Sequence, residues 1–296
     1  DDEDLAELEA FPLKRRFSFT QLAAFEKCPL QYKFAHVYKI PILGSHQKSF
    51  GNCIHLTFQD VWVLHQERGK AQQGDLFVNP KPVASPSVSL GTGSAEPSQI
   101  PNPNAANFHV TMDEALEIYE QRWAENDDWF ESRADYDKYH AKGREAVKRM
   151  MEDWSAAPPD AAFLEKPFDW RLGQHSLKGK IDRLDRRPDG SYAVVDYKTG
   201  NPKTTDTIKT EDKKQLWIYQ LAMEDMGLSV TGLRYVYVLT GDVAEVSLLQ
   251  GKAREEFRLE VEARMNEILL SKFHPEPSQW TCSYCDFRNV CEFRKL

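Results

Sequence analysis

The sequence has no apolar run approaching the roughly 20 residues that a membrane span needs. It opens Asp-Asp-Glu-Asp, with no basic stretch and no apolar segment behind it, so no secretory signal is read. A Gly-x-x-x-x-Gly-Lys-Ser/Thr phosphate loop is missing, which excludes a nucleotide-driven motor within these residues. Cysteine is scarce. Five residues in 296 is an odd count, and without a secretory signal a disulfide framework is a poor reading. Positive charge is in deficit, with 38 Lys and Arg against 46 Asp and Glu and a net charge of -8. That argues against a generally basic nucleic-acid binder, whose affinity rests on phosphate contacts. The first residue is Asp1 and not Met, which hints at a segment of a longer chain, with processing of the N-terminus as the alternative.

What is there is ordinary globular composition, with 41% hydrophobic and 28% charged residues. Basic residues gather locally at Lys14, Arg15 and Arg16, at Lys178, Lys180, Arg183, Arg186 and Arg187, and at Lys203, Lys209, Lys213 and Lys214. Such a track can hold a polyanion on an acidic protein. Residues 1–12 read as an acidic tail, and 13–68 as N-terminal helices. The first of these spans about 18–38, capped by Ser18 or Thr20 and kinked or split at Pro29; the second spans about 50–67. Residues 69–107 are rich in Gly, Pro, Ser and Asn and lack periodicity, so a disordered insertion is expected. A helical lobe over 108–160 starts at the capping box Thr111-x-x-Glu114. In 161–273, strands at 162–171, 176–186, 191–198 and 233–240 alternate with helices at 212–226 and 251–271. The tail 274–296 is irregular and contains cysteines. The expected fold is α/β: a central mixed sheet flanked by helices, with an N-terminal helical lobe.

The chemistry concentrates on one hairpin. Pro188-Asp189-Gly190 has turn chemistry. A three-residue loop there sets Asp182 opposite Asp196 and Lys180 opposite Lys198, with Cβ atoms roughly 4.5–5.5 Å apart. Asp196 and Lys198, two apart on one strand, share a face. Opposed like charges destabilise a hairpin unless something compensates, and a divalent cation does so. The carbonyl of Tyr197 could supply another metal oxygen. Taken alone, the alternative is a solvated face of Asp–Lys pairs.

Gly179-x-x-Asp182-Arg183, Asp196-Tyr197-Lys198-Thr199-Gly200 and Gln215-x-x-x-Tyr219 together resemble the RecB-type PD-(D/E)XK nucleases. The resemblance implies a restriction-endonuclease-like core that cuts phosphodiesters with Mg²⁺ or Mn²⁺. It implies Asp182 and Asp196 as metal ligands, Lys198 as the catalytic lysine, and Gln215 and Tyr219 beside the site. Gly51-x-x-x-His55 is similar to the family's upstream helix motif, which makes His55 a further ligand. Glu165 is a weaker candidate, balanced against a solvent-facing strand residue. One small departure is Ile181 in place of Pro before the first aspartate, which many RecB-type members also show. The implied setting is a helicase–nuclease of DNA repair, joined to a helicase domain or subunit, acting on single-stranded DNA or DNA ends in the bacterial cytoplasm at the nucleoid. A non-catalytic DNA-binding or scaffold module is the other reading; retention of Asp182, Asp196, Lys198 and His55 argues for activity.

Cys282-x-x-Cys285-x5-Cys291 and the remote Cys28 offer four thiolates. Spacing leaves Zn²⁺ and an iron–sulfur cluster both open. The one-plus-three arrangement resembles AddB-type nucleases, which implies a structural [4Fe–4S] cluster, shielded here by Phe287, Phe293 and Trp280. Cys53 is left as a small helix-packing residue. Finally, Gln73-Gly74-Asp75-Leu76-Phe77 resembles the sliding-clamp-binding pentapeptide and, in a flexible loop, would present Leu76 and Phe77 to a groove; a chance match is the alternative.

Overall fold

The computed structural model describes residues 16–42, 44–78 and 108–295, with only the backbone of 71–78. The acidic tail and residues 79–107 of the expected insertion lie outside the described residues. In chain order, strand β1 (Arg16–Ser18) leads into helices α1 (Phe19–Lys27) and α2 (Pro29–Tyr32) and a π-helical turn at Lys33–Val37. The long α3 (His46–Val78), α4 (Met112–Glu125) and α5 (Arg133–Ala156) follow. Strands β2 (Ala161–Leu172), β3 (His175–Arg186) and β4 (Tyr192–Lys198) then precede α6 (Thr210–Asp225). The chain closes with β5 (Val230–Tyr237), β6 (Asp242–Val246), α7 (Lys252–Leu270) and α8 (Gln279–Ser283).

The helix boundaries follow from their caps. Ser18 accepts from the Gln21 N–H while Gln21 returns a bond to the Ser18 backbone, a capping box that starts α1. Cys28 is extended, with φ -168° and ψ 118°, and Pro29 takes the first helical position of α2, where its missing N–H costs nothing. Of the two expectations at Pro29 the split is the one that holds, with the helices divided at Cys28. Thr111 and Glu114 form the capping box of α4.

The six strands form one mixed sheet. β3 pairs antiparallel with β2 along one edge. Its other edge is shared: β1 pairs in parallel with Ser176–Lys178, and β4 antiparallel with Arg183–Arg186. β5 continues the sheet parallel to β4, and β6 closes it antiparallel. Helices cover both faces. One core joins Leu22 and Phe25 of α1, Leu216 and Leu221 of α6, and Val261 and Met265 of α7 to Val194, Leu233 and Tyr235 of the sheet. The other joins Ile54 and Phe58 of α3, Tyr119 and Trp123 of α4, and Val147 and Trp154 of α5 to Val195 and Tyr197. Successive β4 residues thus alternate between the two cores, as the pleat requires.

Three expectations need correction. The insertion does not begin at 69, because α3 continues to Val78. The pentapeptide 73–77 accordingly has a helical backbone and not a loop. The tail contains a short helix, and β1 and β6 are strands that local patterning did not reveal.

The crossing of α4 on α5 depends on a glycine. A Cβ at Gly143 would lie 2.2 Å from the Tyr119 hydroxyl, and that ring is fully buried with its hydroxyl donating to the His140 carbonyl at 2.9 Å. Gly143→Ala must push the helices apart or displace the ring. We expect a loss of about 1–3 kcal/mol, typical of overpacking, as a lower urea midpoint; an unchanged midpoint would show that the crossing has slack.

Candidate active site

The β-hairpin has the expected register and then departs from it. Arg187 N–H donates to the Ser191 carbonyl and Gly190 N–H to Arg187, with Gly190 at φ 81°, so Pro188-Asp189-Gly190 is a three-residue loop. The ladder runs from Arg186–Tyr192 to Arg183–Val195 and stops there. At the next rung, the Tyr197 N–H donates to Asp182 Oδ2 at 2.7 Å. A side-chain carboxylate thus takes an amide that a continued ladder would bond through backbone. Asp182 and Asp196 are therefore not a ladder pair, and Lys180 does not face Lys198. Lys180 instead pairs with Glu165, Nζ to Oε2 at 2.5 Å.

Four elements meet where the ladder ends. α3 brings His55, one turn after Gly51, whose bare Cα faces Thr199 just past β4. His55 Nδ1 lies 3.4 Å from Asp182 Oδ1. Burial opposes charge on this imidazole. The hydrogen bond and charge of Asp182, with Asp196 and Glu165 behind it, nevertheless raise its pKa above the ordinary value. β2 brings Glu165, which has φ 47°, an uncommon conformation for a side chain with a Cβ. Ligating atoms of His55, Glu165 and Asp182 all lie within 4.8 Å of one another. Sequence reasoning ranked Glu165 low because nothing in the local pattern announces its backbone conformation.

Asp196 sits beside this trio, 2% exposed. Its Oδ1 accepts from Gln215 Nε2 at 3.0 Å, and its Oδ2 lies 2.5 Å from Lys198 Nζ. The lysine contact is close but poorly aligned, and Oδ2 has no well-formed hydrogen bond. Burial first, and then the Asp182 charge, push the Asp196 carboxyl up to about 6. α6 carries Gln215 and Tyr219 one turn apart. Gln215 Oε1 accepts from Lys198 Nζ at 2.9 Å, while its amide nitrogen also reaches the Tyr219 hydroxyl at 2.7 Å. One amide thereby fixes the lysine, the aspartate and the tyrosine. Tyr219 packs edge-on against Phe168 with centroids 5.6 Å apart. Phe168 stands opposite Gly179, where a Cβ would come within 2.6 Å of its ring. The glycine of the Gly-x-x-Asp motif makes room for the ring that supports Tyr219.

The residues present fit a divalent cation. A buried carboxylate oxygen lacks a proper donor, and two further carboxylates and an imidazole converge beside it. Oxygen-rich sets suit Mg²⁺ and Mn²⁺, and Mn²⁺ tolerates the imidazole better. Tyr197 reaches the site through its N–H, while its ring lies in the other core against His55 and Phe58.

At the other end of the fold, Cys28, Cys282, Cys285 and Cys291 line one pocket together with Leu30, Gln31 and Phe34. Burial raises the Cys285 thiol, and the neighbouring Cys28 and Cys291 add to the rise. Phe287 is buried and packs on Phe34 at 5.4 Å, as a shielding ring should. Trp280 does not shield: it is 74% exposed and leans on Tyr284. Phe293 lines the pocket but is half exposed. Cys53 is fully buried in α3, apart from the other four.

A mixed sheet between helical layers, with carboxylates and a lysine where two strands part, is a nuclease scaffold. The profile of the PD-(D/E)XK nuclease superfamily matches residues 16–292, and the chain belongs to that superfamily. No curated protein matches it in sequence. Among solved structures, SSO0001 is similar at 12% identity and a TM-score of 0.42, over 98% of this chain and 92% of that one. A candidate exonuclease from Eubacterium rectale is similar at 14% identity and a TM-score of 0.37, over 62% of this chain and 72% of that one. Superpositions this loose carry no functional information. No helix among the described residues is long and apolar enough to cross a membrane.

The electrostatics of His55 can be measured directly. In metal-free protein, its ring should titrate by NMR above the ordinary imidazole value near 6.5. In Asp182→Asn the largest raising contribution is gone and burial is opposed by Asp196 and Glu165 alone, so the titration should fall. An unmoved titration would dissociate the two residues.

Proposed function

We propose that the protein is a divalent-metal-dependent deoxyribonuclease, working as an exonuclease on single-stranded DNA or DNA ends. The observation that carries this is the Gln215-centred network, which holds Lys198 against Asp196 beside the His55, Glu165 and Asp182 trio. Asp182, Asp196 and His55 would hold the cation, with Glu165 at its edge and the Tyr197 carbonyl as a further oxygen. The bound ion would polarise the scissile phosphate and acidify a water. Lys198, pinned at 2.9 Å by Gln215, is positioned to stabilise charge developing on the phosphate. Tyr219 fixes the other side of that amide.

A cleft of about 410 Å³ opens beside Lys198, lined by Phe19, Lys203 and Tyr237 and by the acids Glu211 and Asp212, the latter paired with Lys203 at 2.6 Å. Cationic and aromatic groups at one opening suit a single strand, whose phosphates need cations and whose bases stack. The net charge of -8 does not bar this, since six of the acids fall in the first ten residues and a metal site itself requires carboxylates.

The four-cysteine pocket is read as a [4Fe–4S] site. What supports the reading is that the remote Cys28 and the three tail cysteines line one pocket, in the one-plus-three arrangement of the family resemblance; zinc is the alternative. A helicase domain or subunit is the partner class implied by the family resemblance, in DNA repair at the bacterial nucleoid. Sliding-clamp binding through Gln73–Phe77 is a second, separate proposal.

Two experiments test this. End-labelled single- and double-stranded DNA with Mg²⁺ or Mn²⁺ should be cut by the wild type. Asp182→Asn, Asp196→Ala and Lys198→Ala should each lose about 10²–10³-fold or more, as when a transition-state contact is removed. Equal cutting by all four proteins would end the assignment. Separately, anaerobically purified protein should carry iron and acid-labile sulfide in equal amounts. Cys282→Ser should lose both and melt lower, whereas Cys53→Ala should keep both. Stoichiometric zinc without sulfide would overturn the cluster.

A further inference from the structure

A second cavity, of about 350 Å³, lies between α5 and the sheet face opposite Asp196. Its walls are Ala146, Arg149, Met150 and Trp154 of α5, Arg234 and Val236 of β5, and Arg183 and Tyr197 of the catalytic hairpin, with Phe58 of α3 behind. None of the site chemistry described above uses this space.

Three guanidiniums reach the cavity, and they are not equivalent. Arg183 is buried and engaged: Nη1 donates to the Tyr197 hydroxyl at 2.5 Å and Nη2 to Asp185 Oδ2 at 3.0 Å. Arg149 spends Nη1 on the carbonyls of Val238 and Leu239, at 3.4 and 2.7 Å. Arg234 has Glu245 at 3.7 Å, and its buried Nε has no hydrogen-bond partner among the described residues. Arg149 therefore keeps Nη2 for a ligand, and Arg234, whose Nε faces Glu245 at a distance too long for a hydrogen bond, keeps its two Nη groups. Of the two acids on the lining, Asp185 is neutralised by Arg183 and Asp153 is exposed. The rest is apolar or aromatic. The volume falls within the range of about 300–1,000 Å³ typical of small-ligand sites and is large for a bare oxyanion.

We propose that this cavity binds a nucleoside monophosphate, with its dianionic phosphate on Arg149 and Arg234 and its base against the Trp154 and Phe58 wall. Two planar forks match a dianionic phosphate, and aromatic walls match a base. Mononucleotides are the products of the exonuclease reaction proposed above, so the choice of ligand rests on that reading, whereas the cavity and its unpaired donors do not. The occupant would touch Tyr197, whose hydroxyl is held by Arg183 and whose N–H holds Asp182. Product bound here is thus in contact with a residue that positions a metal ligand on the opposite face.

The test is calorimetric titration of metal-free protein with dAMP, and separately with inorganic phosphate. Wild type and Asp196→Asn should bind dAMP one to one with matching affinity. Arg149→Gln and Arg234→Gln should each weaken it at least tenfold. Val243→Trp, at a half-exposed lining position, should block the cavity without removing a charge, which keeps the test sound if either arginine variant folds poorly. Phosphate should bind at least tenfold more weakly than dAMP. Absence of dAMP binding to wild type overturns the proposal. So does loss of binding in Asp196→Asn with retention in the arginine variants, which would put the nucleotide at the cleavage site. Equal affinity for phosphate and dAMP overturns the nucleotide reading. If dAMP binds as stated while DNA is not cut, the cavity stands and the nuclease reading falls.

Discussion

Asp196 is buried beside Asp182, and both its burial and that neighbour resist its ionisation. The surrounding structure manages this local excess of negative charge. Lys198 lies against one oxygen, and the Gln215 amide donates to the other. The Tyr197 N–H and His55 flank Asp182, and Lys180 draws on Glu165 from the rim. Removing any single compensator leaves a buried carboxylate short of a partner, which is more costly than never having buried it. The arrangement is stable enough to be built and unsatisfied enough to take up a cation. That balance explains why the strands part here: a continued ladder would use the Tyr197 N–H that Asp182 needs.

Much of this was legible in the sequence because it is governed by short-range rules. Pro188-Asp189-Gly190 selects a three-residue loop, and the pleat then fixes which residues share a face, so the register of the hairpin follows from local chemistry. Gln215 and Tyr219 share a face because they lie four apart on a helix. What escaped depended on competition or distance. Lys180 was misplaced because the ladder was extended past the point where a carboxylate outcompetes a carbonyl. Glu165 enters the site through a backbone conformation that no pattern announces. β1 is three residues long and pairs in parallel with a strand far along the chain, so it carries no periodicity of its own. The polar end of α3 has Gly and Gln where a disordered insertion was expected to begin, yet the helix persists to Val78.

The two ends of the fold are mechanically joined. The cysteine tail lies on the first helices through Phe287 on Phe34, and Lys27 Nζ donates to the Tyr284 carbonyl at 3.2 Å. Lys48, in the first turn of α3, reaches Asp286 at 3.8 Å. That helix delivers His55 two turns later. The cysteine pocket and the carboxylate site thus touch the same helix, the tail through an exposed ion pair of the kind that contributes little and the carboxylates through His55.

This linkage sets a sequence of events during synthesis. Chains leave the ribosome from the N-terminus, and pairings between distant segments wait until both are present. The hairpin with Asp182, Asp196 and Lys198 emerges well before Cys282, Cys285 and Cys291. Cys28, among the earliest described residues to appear, waits for them longest. Until the final turns arrive, the helix bearing His55 lacks its clasp at Lys48. The pocket around Cys28 therefore closes only after the hairpin that carries Asp182, Asp196 and Lys198 has already been made.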